Sequence, residues 1–362
     1  MTLLSLSIRD FRCFEEASIH PDPQGLTVLR GVNGSGKTSV LEAIGWLATN
    51  RSIRGASRET LVRDGAEKAI LRAETSVVQR RALIEAEIPM DSRARVQVNR
   101  QVVRKRAELC AALQVSVFSP SDRRLVEGGP AERREYLDEV LAERHPRLEA
   151  AVAEVEHVLR QRSALLRQCA GRLDHSALAT LEVWDDRLAS SGTMLVEERE
   201  SLARELEPMV SEAYGQLARS GERVGLRYQR SWAGELGSAL LDVRDQDLRR
   251  QVTTLGPHRD ELEVMLGAVS ARTHGSQGEQ RCIALALRLA THELRRRYSP
   301  EPPVLLLDDV FSELDRHRSE ALVACLPLGQ VLLTTASDPP AVVGAHQVVE
   351  VAGRVLLAQS SP

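Results

Sequence analysis

GLTVLRGVNGSGKTSVLEAIGWLA, residues 25–48, is the stretch that decides the fold. It opens on a short apolar run, Leu26 to Leu29, that reads as a strand. It closes with Val40, Leu41, Ile44 and Leu47 on one face of a helix. Between them Gly31, Gly36, Lys37 and Thr38 satisfy G-x-x-x-x-G-K-[ST], and a strand before with a helix after is the context that pattern requires. The glycines let the backbone N–H groups of Asn33, Gly34, Ser35 and Gly36 wrap phosphate oxygens. Lys37 neutralises the β- and γ-phosphates, Thr38 offers a hydroxyl to Mg²⁺, and the helix points its positive end at the anion. With no NKxD to read guanine, the expected cofactors are ATP and Mg²⁺.

Such a loop needs a carboxylate on a nearby strand to hold Mg²⁺. VLLLDD, residues 304–309, supplies Asp308 after four apolar residues. Asp309 follows at the strand end, placed to orient or deprotonate an attacking water; it reads also as a helix N-cap before VFSELD. These carboxylates stand about 270 residues beyond the loop, so the expected fold is one α/β ATPase domain split by an insertion.

The insertion is charged and helical from Pro130 onward. Leu148, Val152, Val155, Leu159 and Leu166 form one apolar seam; Leu181, Trp184, Leu188, Leu195, Leu202, Leu206 and Val210 form a second. A turn near Gly171 makes them an antiparallel hairpin arm. The expected organisation is 1–130 for the first part of the head, 131–250 for the arm and 251–362 for the rest of the head. In that last part EQRCIALALRLATHELRRR reads as a buried helix and QVLLTTAS as a central parallel strand. ELEVMLGAVSA and HQVVEVAGRVLLAQ read as hairpins over Gly267 and Ala352-Gly353.

Composition narrows the classes. Hydrophobic residues make up 43% and aromatics 3%, so the core is aliphatic. A formal charge of -3 gives no whole-chain field for nucleic acid, and any such contact must come from local patches. Five scattered cysteines without a CxxC pair argue against a disulfide framework or a zinc site. MTLLSLSIRDFR lacks the apolar core of a signal peptide, and no run approaches the ~18 apolar residues of a membrane helix. A cytoplasmic protein with no membrane partner is expected.

HGSQGEQRCIALALRLA resembles the ABC-type signature and its helix, and FSELD resembles the D-loop. FSPSDRRLVEGGPAERREYLDEVL, TLGPHRDEL, SQGEQR and LLLDDVFSELD, in this order and with a short arm, resemble the RecF family of SMC-like ATPases over essentially the whole chain. The resemblance implies an ABC-type P-loop ATPase head split by a helical hairpin arm. It implies ATP-dependent binding of double-stranded or gapped DNA and a homodimer closed around two ATP molecules. It also implies action with RecR and RecO to load RecA at single-strand gaps, in DNA repair, replication restart and the SOS response. By the same resemblance Ser276, Gln277, Gly278 and Gln280 close on the γ-phosphate held by the other subunit, with Asp315 at that interface, and Ser276 joins Lys37 and Asp309 as a catalytic residue. On the residues alone, Ser276 and Glu279 also read as a capping box. Asp309 stands where many ABC proteins have Glu, and Thr335 stands at the switch histidine; both departures imply slow turnover. Ser119 and Asp122 are the candidates nearest the Q-loop.

Arginines cluster at Arg51, Arg54, Arg58 and Arg63, and at Arg93, Arg95, Arg100, Arg104 and Arg106 with Lys105. Each cluster reads either as a set of phosphate contacts or as a solvated face. Sparse aromatics disfavour a single-strand stacking platform. GPHRDE puts His258 and Arg259 either near nucleotide or in a structural turn. An ABC transporter subunit would lack such an arm, a long SMC tether would have a far longer one, and a scaffold with a dead site would not keep Lys37, Thr38 and Asp308.

Overall fold

A computed structural model describes residues 1–169, 171–327, 329–338, 343, 347–352 and 355–359. The chain opens with β1 (Thr2–Phe11) and β2 (Phe14–Ile19), then β3 (Leu26–Arg30), α1 (Lys37–Thr49) and α2 (Arg58–Leu61). Next come β4 (Lys68–Val77), β5 (Arg80–Pro89), β6 (Arg95–Val98), β7 (Gln101–Val102), α3 (Arg106–Ala112) and β8 (Val115–Phe118). The middle holds α4 (Arg124–Glu127), α5 (Pro130–Arg144), α6 (Pro146–Cys169), α7 (His175–Ala218), β9 (Val224–Gln229), α8 (Leu236–Asp242) and α9 (Arg244–Arg250). The last third holds β10 (Glu261–Leu266), β11 (Val269–Ser270), α10 (Ala271–His274), α11 (Gln277–Tyr298), β12 (Val304–Asp308), α12 (Arg316–Cys325), β13 (Val331–Thr335), β14 (Gln347–Ala352) and β15 (Val355–Gln359).

Two compact units result. The first comprises Met1–Asp122, Gln216–Ala218 and Arg288–Pro362. It carries two six-stranded sheets. One is an antiparallel sheet in the order β2-β1-β4-β5-β6-β7. The other has the order β15-β14-β3-β13-β12-β8, parallel except for β15. Helix α1 touches strands of both sheets and is apolar nearly all round, as a helix covered on every side must be. Val40, Leu41, Ala43, Ile44, Trp46 and Leu47 all join one core with Leu6, Ile8, Leu71 and Ile84 of one sheet and Leu29, Leu306 and Leu332 of the other. In β12 every residue is buried, so the strand reads as a continuous apolar run ending in its one carboxylate.

The second unit comprises Arg123–Gly215 and Arg219–Leu287. Antiparallel pairing of β10 with β9, Leu262 opposite Tyr228 and Leu266 opposite Val224, draws residues 261–266 into it. The unit therefore runs on to Leu287, where the sequence places a boundary at 250. Helices α6 and α7 form the hairpin: Arg162 meets Asp185 and Arg187 meets Glu154, an antiparallel register. The seam on α6 is Leu148, Ala151, Val155, Val158, Arg162 and Leu166, all buried. Val152 and Leu159, expected in it, are only partly buried, and on α7 Asp185 takes the place expected for Trp184. The reason is a charged pair inside the seam. Arg162 is fully buried, 2.7 Å from Asp185 and 2.6 Å from Asp247, and a periodicity counted on apolar residues alone steps over it. The hairpin of β10 and β11 turns at Gly267, as expected; the expected turn of the final hairpin includes Gly353, outside the described residues.

Candidate active site

The site lies where parallel strands β3, β13 and β12 end. The loop leaves β3, Asp308 is the last residue of β12, and β13 runs between the two. Strand order alone thus brings Thr38 and Asp308 together: Thr38 Oγ1 donates to Asp308 Oδ1 at 2.7 Å. Lys37 folds back along its loop, with Nζ 2.6 Å from the Gly31 carbonyl and 3.0 Å from that of Val32. Burial pushes the Lys37 ammonium pKa down, while the charges of Asp309 and Asp308 push it back up. The loop backbone needs its glycines at two positions. Gly36 has φ 110, and a Cβ there would sit 2.7 Å from both Cys13 Sγ and the Phe14 ring. Gly34 has φ 82 in open space.

The donor set fits a Mg²⁺–triphosphate. Ser35 Oγ is buried without a protein partner, a donor turned into the loop. A hydroxyl and a carboxylate oxygen in contact are the hard ligands that Mg²⁺ takes alongside phosphate oxygens and water. Among the described residues no group of three or more His, Cys, Asp or Glu side chains competes as a metal centre. A cleft of about 970 Å³ opens on Lys37, Thr38, Gly36 and Asp309.

Thr334, silent in the sequence, ties the acidic end together. Its Oγ1 donates to Asp308 Oδ1 at 2.9 Å and accepts from the Asp309 backbone N–H at 2.8 Å. Asp309 itself has φ 48, a left-handed conformation uncommon for a residue with a side chain and concentrated at functional sites. The hydroxyl of the neighbouring Thr335, at the switch position, bonds Ser337 within its own turn, and its carbonyl accepts from the Gly31 N–H at 3.3 Å.

The same cleft is lined by Arg12, Arg54 and Arg63. Arg12 forks onto the buried Glu42 at 2.7 and 2.9 Å, and Arg63 pairs with Asp10 at 2.7 Å. Arg54 and Arg63 belong to the first arginine cluster, so half of that cluster lines this cleft. Arg12 escaped the sequence reading because its position follows from the tight turn between β1 and β2, where Asp10 and Arg12 both have positive φ.

The signature segment lies in the second unit. Ser276 and Glu279 form a reciprocal cap: Ser276 N–H and Oγ each donate to Glu279 Oε2 at 2.7 Å, and Glu279 N–H donates to Ser276 Oγ at 3.3 Å. Ser276 and Gln277 are exposed, and Gly278 partly so. Gln280 differs from expectation: its amide is buried and donates to the carbonyls of Ala271 and Arg272 at 3.0 and 3.1 Å. It holds the loop and does not point outward. Asp315, exposed, caps α12 through the Arg318 N–H at 2.8 Å. Asp122 is buried against Arg288 at 2.7 Å and accepts from Ser119 N–H, so this pair braces the turn after β8. His258 bonds the Thr253 carbonyl at 3.0 Å within the second unit, and burial pushes its pKa down to about 4: the GPHRDE segment is a structural turn. Asp260 beside it accepts from Tyr228 and from the Ser231 N–H.

Comparison with known proteins agrees with this geometry. The family described as RecF/RecN/SMC N terminal domain matches residues 2–352. DNA replication and repair protein RecF of Streptomyces avermitilis is 40% identical over 353 residues, 93% of this chain and 94% of that protein. Its namesake in Frankia alni is 40% identical over 382 residues, covering 99% of this chain and 100% of the relative. A solved structure of the recombination mediator protein RecF with ATP, of the RecFOR pathway, aligns with TM-score 0.89 at 25% identity, over 99% of this chain and 98% of that one. An Smc head bound to the C-winged helix domain of ScpA shares the fold, with TM-score 0.60 at 16% identity over 100% and 98%. With a loop strand and an acidic strand separated by one parallel neighbour, and with these relatives along its length, the chain has the ABC-type ATPase fold and belongs to the RecF family of DNA replication and repair proteins.

Proposed function

We propose that this chain is an ATP-dependent DNA-binding recombination mediator and a slow, DNA-stimulated ATPase. The observation that carries the reading is the contact of Thr38 with Asp308 beside Lys37, with Ser35 Oγ free to donate. When bound, Mg²⁺ supplies charge neutralisation at the phosphates, held by Thr38 and Asp308. Lys37 exchanges its two carbonyl partners for phosphate oxygens, at little cost because its ammonium is already partly desolvated. Asp309 orients the attacking water; its short side chain and the absence of a histidine at Thr335 favour a timer over a motor.

Ser276, Gln277 and Gly278, exposed at the start of a capped helix, suit a phosphate brought by a second copy of the chain, with Asp315 at the same interface. ATP then acts as the bond of a homodimer that holds double-stranded or gapped DNA. RecR, with RecO, is the expected protein partner, and RecA the recombinase loaded as a result. The test is light scattering and duplex binding with and without ATP. Lys37→Met should lose nucleotide binding. Ser276→Arg should keep it and remain monomeric; a Ser276→Arg dimer formed with ATP would overturn the trans contact.

A further inference from the structure

Four arginines stand on two distant parts of the chain that pack together at the closed end of the arm hairpin. Leu166 of α6, Leu181 of α7 and Leu248 of α9 form a small core there, with Leu165, Cys169 and Leu173 packed against it. Helix α9, with Arg249 and Arg250 in its last turn, thus packs on α6, which has Arg167 in its last turn and Arg172 in the turn that follows. All four are exposed, and none has an ion-pair partner among the described residues.

Elsewhere on the arm Arg147 and Arg204 are also exposed without an ion-pair partner among the described residues, each standing singly, while other exposed arginines are matched. Arg187 pairs with Glu154 at 2.5 Å, Arg160 with Glu156 at 3.6 Å and Arg230 with Glu200 at 2.6 Å. At the hairpin end most carboxylates are engaged, and Asp245 in the first turn of α9 is an exposed one left near Arg249. Asp174 accepts from Ala177 N–H as the cap of α7, Asp185 and Asp247 are bound by the buried Arg162, and Glu182 faces Arg244. A cation in the last turn complements the helix dipole, which accounts for one arginine per helix end. It does not account for adjacent Arg249 and Arg250, nor for Arg172, which lies outside a helix.

We infer that this arginine end is a second contact surface for nucleic acid, gripping the phosphodiester backbone of a duplex without reading its sequence. This rests on the DNA-binding reading above. The chemistry favours phosphate over a protein partner: guanidinium forks match phosphate oxygens, and Arg167, Arg172, Arg249 and Arg250 surround no exposed aromatic anchor of the kind that dominates protein interfaces. For the same reason a duplex is preferred to stacked single strands.

The experiment is fluorescence anisotropy of a mixed-sequence duplex with the full chain and ATP, over a salt series. Arg249→Gln/Arg250→Gln and, separately, Arg167→Gln/Arg172→Gln are compared with the parent and with the matching Arg→Lys pairs. Each glutamine pair should weaken binding about tenfold and lower the slope of log affinity against log salt by about two, since each lost phosphate contact removes roughly one. The lysine pairs should keep the slope, and DNA-free ATP hydrolysis should be unchanged in all. Parent-like affinity and slope in both glutamine pairs would overturn the proposal. If those pairs instead lose binding to RecR with duplex binding intact, the surface belongs to a protein and the proposal is equally overturned. A parent chain that binds no duplex at any salt would defeat the DNA-binding reading itself, a result distinct from the others.

Discussion

At the residue scale, the acidic end of the site depends on one hydroxyl. Thr334 spans Asp308 and Asp309, and it holds Asp309 in a conformation that costs energy for a residue with a Cβ. Thr334→Val keeps the shape and removes the hydroxyl. A hydrogen bond to a charged group is worth about 1.5–3 kcal/mol, so single-turnover hydrolysis should slow by about 10- to 100-fold. ATP affinity should change less than hydrolysis, and Thr334→Ser should restore most of the rate; an unaltered rate in the valine variant would remove Thr334 from the mechanism. Asp309→Asn should bind ATP and accumulate the ATP-bound state, visible as nucleotide retained after gel filtration. Lys37, Thr38 and Asp308 were legible because each lies in a contiguous motif. Thr334 was not, since threonine on a central strand has no signature and its partners lie 25 and 26 residues away.

At the element scale, the arm is pinned by charge within an apolar seam. Arg162 binds Asp185, Asp247 and Thr253 from three different segments and so fixes where α9 lies on the hairpin. Removing one partner of a buried ion pair leaves the others uncompensated, at about 3–5 kcal/mol. Arg162→Met should fall near the lower end, since Asp185 keeps Arg244 at 3.2 Å and Asp247 keeps the Thr254 hydroxyl at 2.6 Å. Urea unfolding followed by far-ultraviolet circular dichroism measures this; a loss below about 1 kcal/mol would show that the network contributes little. The hairpin itself was legible from leucine spacing. Its true face was shifted by the charged residues that the spacing omits, Val158 and Asp185 replacing Leu159 and Trp184.

At the scale of the whole molecule, each unit encloses a histidine held neutral. Burial pushes His292 from an ordinary 6.5 to about 4, with Arg295 and Arg296 adding to the shift and Glu293 opposing it; both ring nitrogens lack a partner. His258 is pushed to about 4 in the other unit. Above pH 6.5 folded and unfolded chains are both neutral at these sites. Between 6.5 and about 4 only the unfolded chain gains the protons, so stability should fall as pH falls through that window. His292→Leu should flatten that fall and raise the melting temperature at pH 5 more than at pH 8. Equal shifts at both pH values would mean that the histidine acts through packing alone.

What the sequence by itself determined is the glycine loop with its partner carboxylate and the division into a split head and an arm. Those rest on contiguous residues: a glycine loop between strand and helix, an apolar strand ending in Asp308, and leucines at helical spacing. The tertiary structure alone decided which separate pieces share a surface. The placement of β13 between β3 and β12 brings Thr334 to Asp308, the turn after β1 carries Arg12 to the cleft, and the small core under α9 packs the helix that carries Arg249 and Arg250 onto the one that carries Arg167. Each follows from strand order or from packing between segments 25 to more than 80 residues apart. Long-range contacts of that kind leave no periodic trace in a chain, because local spacing records only which face of one element is buried, and not what is buried against it.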